Sequence, residues 1–135
     1  MARRDTGTAD DRADRAPVVH RITTSTAAVV NDPDRADLAQ LVGEVERSGR
    51  GSFLIGQARA GQADESWLQA VRRADGWTLE ARDEAGPGHV RSETADTALV
   101  EDVFVWWTQG LRAWRDSPLV EWRPVVRDQQ WLTSA

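Results

Sequence analysis

The chain has 135 residues, one domain's worth, with a formal net charge of −5, no cysteine, and arginine as the only residue behind its 17 basic side chains. The missing cysteine excludes a disulfide framework, a thiolate metal site and a cysteine nucleophile. No apolar run approaches the roughly 18 residues of a membrane span, and the acidic balance argues against a general nucleic-acid binder, whose footprint is a basic patch.

Residues 1–16 mix Arg, Asp, Thr and Ala without periodic apolar positions, so they read as a disordered tail that cannot bury enough surface to offset ordering. The segment lacks the apolar stretch of a secretory signal, and a cytoplasmic protein is expected. A single domain should then occupy 17–127, with 128–135 as a second tail. Val18, Val19, Ile22 and the run from Thr23 to Val30 are β-prone. Asp32-Pro33 has the form of a helix start, with Asp32 as N-cap and Asp34 near the positive end of the dipole. Leu38, Leu41, Val42 and Val45 follow in one apolar stripe, and Gly49 supplies a left-handed stop.

Phe53-Leu54-Ile55 reads as a short buried strand and Gly61 to Asp64 as a turn. Trp67 to Arg73 and Trp77 to Arg82 form a hairpin around Asp75-Gly76. On its second strand Trp77, Leu79 and Ala81 alternate with Thr78, Glu80 and Arg82, a dry face and a wet one. Residues 83–88 make another turn before a strand at His89 to Glu93. A long helix is then predicted from Thr97 to Arg115, capped by Asp96. Leu99, Val100, Val103, Phe104, Trp107, Leu111 and Trp114 share its apolar arc. Val105 points into the polar face and Trp106 lies at the arc's edge. A last strand, Leu119 to Val126, carries Pro124, which suits a sheet edge. The architecture expected is α+β: a single antiparallel sheet of four to six strands with two helices packed on one face.

Chemistry is sparse. His20 and His89 lie in no metal-binding spacing, and no metal or cofactor is expected. Gly49-Arg50-Gly51 precedes a strand, whereas phosphate-binding loops follow one. No serine sits in a nucleophile elbow. Glu80 and Glu121 read as cross-strand partners of Arg82 and Arg123. Six of the seven tryptophans fall between Trp67 and Trp122, and Trp67, Trp77, Trp107, Trp114 and Trp122 occupy core-type positions. Trp106 and Trp131, with Val105, stand out as candidates for a partner-binding surface, since tryptophan is enriched at interface hot spots. No enzyme follows from this set.

The stretch WLQAVRRADGWTLEARDEAGPGHVRSE, the helix TALVEDVFVWWTQGLRAW and the closing LVEWRPV together resemble the small immunity proteins of bacterial polymorphic-toxin systems. The landmarks are Leu79-Glu80-Ala81-Arg82, the strand beginning near His89, the aromatic helix and Glu121-Trp122, over residues 66–126. That resemblance implies a non-enzymatic protein that binds and blocks a cognate toxin domain. A basic toxin domain would be complementary to an acidic inhibitor, with Asp64, Glu65, Asp83 and Glu84 standing in for phosphates. The alternative is a regulatory or chaperone-like accessory protein, engaging a hydrophobic client through Val105 and Trp106. Either would act as a monomer or a homodimer, without nucleic acid or membrane.

Overall fold

The computed structural model describes residues 18–60, 63–83 and 88–125, the side chains of 60, 63–65 and 83 excepted. Both expected tails, the 84–87 turn, Glu84 and Trp131 lie outside the described residues.

Among the described residues the chain forms β1 (Val18–Thr24), β2 (Val29–Asn31), α1 (Arg35–Ser48), β3 (Phe53–Ala60), β4 (Ala63–Arg72), β5 (Trp77–Asp83), β6 (Gly88–Thr94), α2 (Thr97–Thr108), α3 (Ala113–Asp116) and β7 (Arg123–Pro124). The α+β class and the single antiparallel sheet agree with expectation. The counts do not: among the described residues the sheet has seven strands, in the order β2-β1-β3-β4-β5-β6-β7, and there are three helices. Strands β1 and β2 fall on the N-terminal stretch that the sequence marks as β-prone, where a strand or two is expected. There β1 and β2 form a hairpin, and β1 pairs along its whole length with β3, from Val18 opposite Ala60 to Thr24 opposite Leu54. Long-range pairing of this kind has no local sequence signature.

Helix α1 begins two residues later than Asp32 suggested. Asp34 is the cap, and with Asp37 it closes a reciprocal box: the Asp37 N–H donates to Asp34 Oδ1 at 2.8 Å, and the Asp34 N–H to Asp37 Oδ2 at 3.1 Å. Asp32 instead finishes the β1–β2 pair, its N–H donating to the His20 carbonyl at 2.6 Å and its carboxylate accepting from the His20 N–H at 3.0 Å. Leu38, Leu41, Val42 and Val45 are buried as the stripe requires, and Gly49 ends the helix at φ +89°.

Helix α2 starts at Asp96 as expected, its carboxylate accepting from the Ala98 N–H at 3.0 Å. It stops at Thr108, not Arg115. Gly110 adopts φ +73°, its N–H donates to the Trp107 carbonyl at 3.1 Å, and the Leu111 N–H reaches back to the Trp106 carbonyl at 2.9 Å. Those bonds satisfy orphan carbonyls at the helix end and turn the chain away. Leu111 is therefore 47% exposed, although it continues the apolar period. Trp114 recovers its burial on the separate turn α3, where its carbonyl accepts from Trp122 Nε1 at 3.0 Å and the two indoles meet edge to face. The final strand shrinks from Leu119–Val126 to Arg123–Pro124, which holds the edge position that a proline tolerates.

One face of the sheet carries the three helices of the described residues. Ile22, Leu54, Leu68, Leu79 and Val90 point into this layer, pack with the α1 stripe and with Val100, Val103 and Phe104, and are fully buried. Trp107 lies towards β3. It covers Gly56 on β3, where a Cβ would stand 2.7 Å from its ring. Trp77 sits at the other end of α2, donating its Nε1–H to Thr97 Oγ1 at 3.1 Å; that hydroxyl donates in turn to Glu46 at 2.6 Å. One hydrogen-bond chain thus ties β5, α2 and α1 together.

Candidate functional site

Strand alternation decides what the second face displays. Residues flanking the buried positions point away from the helices: Arg21 on β1; Phe53, Ile55, Gln57 and Arg59 on β3; Trp67, Gln69 and Val71 on β4; Thr78, Glu80 and Arg82 on β5. On β6 they are His89, Arg91 and Glu93. No helix covers this face among the described residues. Phe53, Ile55, Trp67 and Val71 are nevertheless only partly exposed, because neighbouring side chains shield one another, and none belongs to the core cluster.

The centre of the face is a three-part contact. His89 Nε2 and Glu80 Oε1 lie 2.9 Å apart, and the imidazole meets the Trp67 ring edge to face with centroids at 5.1 Å. Cross-strand geometry explains the meeting. Glu80 stands opposite Arg91 and Arg82 opposite His89, so His89 is the diagonal neighbour of Glu80. The sequence reading of Glu80 did not anticipate this contact. A carboxylate that orients an imidazole is half of an acid–base apparatus. The hydroxyl of Thr78 on the same face is engaged by Arg73, and the described residues supply no group of three metal-ligating side chains.

Around this centre lie the arginines. Arg91 and Arg123 both approach Glu93, each at 3.6 Å, so one carboxylate answers two guanidinium groups. Arg73 donates from Nε to Thr78 Oγ1 at 3.0 Å, and Arg21 from Nε to the Asn31 side chain at 3.1 Å. Thr78, expected on the wet side, is only 3% exposed beneath Arg73. At the β4–β5 end the face runs into an open recess of about 470 Å³, lined by Arg73, Asp75, Trp77, Thr78, Glu93 and Thr94 among others. Gly76 closes the turn there against the Thr94 carbonyl, too tightly to admit a Cβ. Arg72 does not enter this display: it stacks over Trp77 at 5.7 Å and donates to the Arg73 and Gly76 carbonyls, a structural use.

The residues singled out from the sequence meet different fates. Val105 is corrected. Only 3% of it is exposed, and it belongs to the core, so the helical-wheel reading that pointed it into solvent fails and it offers no contact surface. Trp106 is partly buried against the core and keeps some exposure. Trp67, read as core, belongs to the bare face. Asp64, Glu65 and Asp83 lie on β4 and β5 at the end where β3 meets β4 and β5 meets β6; the strand directions bring those two hairpins to the same end of the sheet. Glu84 and Trp131 lie outside the described residues.

No helix of the described residues is long and apolar enough to cross a membrane. No protein-family model, curated protein or solved structure matches the chain. The likeness to immunity proteins rests on the sequence pattern alone.

Proposed function

We propose that the chain is a non-catalytic protein-binding module of the cytoplasm, and that the face of its sheet turned away from the described helices is the contact surface. The observation that carries this is Phe53, Ile55, Trp67 and Val71 side by side on a face where no helix lies among the described residues, outside the core and bordered by arginines. Aromatic and aliphatic groups encircled by polar ones have the composition of an interface centre and its rim. The test is a pull-down from native extract with wild-type protein and with Ile55→Asp, washed at low and at high salt. A partner kept by the wild type and lost by the variant supports the reading. Equal retention by both places the contact elsewhere.

A second reading is favoured by the topology. Asp64, Glu65 and Asp83 gather at one end of the sheet, which suits an immunity-type inhibitor holding a basic toxin domain by its acidic hairpins. In that case Asp64→Arg with Asp83→Arg abolishes capture of a basic partner, while Ile55→Asp spares it. The chaperone-like reading loses Val105 and retains only Trp106.

A further inference from the structure

The net charge of the chain conceals a segregation. On the bare face the described side chains include Arg21, Arg59, Arg73, Arg82, Arg91 and Arg123, against Glu80 and Glu93. The helix layer is the reverse: α1 and α2 carry Asp37, Glu44, Glu46, Glu101 and Asp102, against Arg35 and Arg47. Arg35 is already drawn to Glu101 and Asp102, at 3.2 and 3.4 Å. The sheet therefore divides an acidic side from a basic one.

We propose that the occupant of the bare face is an acidic segment of another protein that also carries apolar side chains; this rests on the reading of that face as the contact surface. Charge complementarity selects the sign. Glu93 is shared by two arginines, and Arg123 keeps 67% of its side chain exposed, so guanidinium donors on the β6–β7 side remain open to further carboxylates. Arginine forks onto carboxylates bidentately, which suits it to this task. The strip of Phe53, Ile55, Trp67 and Val71 requires apolar groups between the acids. A nucleic acid fits less well. Bases stack on exposed ring faces, whereas Trp67 is half-buried and engaged by His89.

The test is selection of random displayed peptides on immobilised full-length protein. It is run in parallel on Arg82→Glu/Arg123→Glu and on Ile55→Asp, each first checked for an unchanged circular dichroism spectrum. Peptides rich in Asp and Glu with interspersed apolar residues are expected, their binding weakened roughly tenfold or more in the double charge reversal and lost in Ile55→Asp. Neutral or basic peptides that still depend on Ile55 would overturn the acidic assignment while leaving the face as the contact surface. Peptides indifferent to Ile55→Asp, or no enrichment, would overturn both. A labelled oligothymidine strand bound more tightly than any selected peptide would replace the protein partner with nucleic acid. Self-association in sedimentation that Ile55→Asp abolishes would assign the face to the acidic helix layer of a second copy.

Discussion

The two faces of the sheet each carry a histidine against a tryptophan at the same spacing. His20 meets Trp107 on the helix side and His89 meets Trp67 on the bare side, both edge to face with centroids 5.1 Å apart. The surroundings differ. Trp107 is 4% exposed, lies over Gly56 and belongs to the core, whereas Trp67, opposite Gln57 on β3, is on the face where the described residues place no helix. One pair serves the fold and the other is displayed. Local contact geometry therefore does not assign a role; what covers the contact does.

The largest effect that could break this contrast is expected at Trp77, which holds the helix layer to β5. Trp77→Ala should cost about 3–5 kcal/mol, from lost burial and the orphaned Thr97 hydroxyl, and the thermal midpoint reads it directly. Next comes Gly56→Ala. The added methyl would enter the Trp107 ring and Ile22, and about 1–3 kcal/mol of overpacking is expected in urea denaturation. On the opposite face Trp67→Ala should cost only about 1 kcal/mol in the same measurement. If Trp67→Ala matched Trp77→Ala, the bare face would be a second core and the comparison would fail.

The smallest effect sharpens the contrast by pH. Burial on the helix side lowers the His20 pKa from its ordinary 6.5, with Asp32 pulling weakly the other way. The folded state thus disfavours the imidazolium, and the unfolded chain takes up the proton first. The stability held by neutral His20 is full above the unfolded value and drains as pH falls below about 6.5 towards the lowered folded value. The urea midpoint of wild-type protein should fall over that window, and His20→Gln should flatten the fall.

Much of the helix side was legible because its signals are local. The α1 stripe, the Gly49 stop, the Asp96 cap and the Asp75-Gly76 turn each sit within a few residues of what they control. The stop at Gly110 was masked, since Leu111 and Trp114 continue the apolar period beyond it. Val105 is buried within the core cluster although the helical wheel sets it opposite the apolar arc. The bare face was invisible for a related reason: an apolar run such as Phe53-Leu54-Ile55 reads as buried on both sides, and only the placement of the helices shows that one side is open. Charge segregation is likewise lost in a net sum, and it appears only when register assigns each arginine to a face.

The sheet's margins bear on how the protein behaves when concentrated. Strand edges recruit further strands when they offer a row of unmet peptide groups, and this is the route to fibrils. Here β2 pairs over three residues, and just past it Asp32, at φ +48°, takes up both peptide groups of His20, one with its backbone and one with its side chain. At the far margin β7 is two residues long and ends in Pro124, which has no N–H to offer. Among the described residues the strands at the two margins are thus short and partly capped, which limits growth by strand addition there.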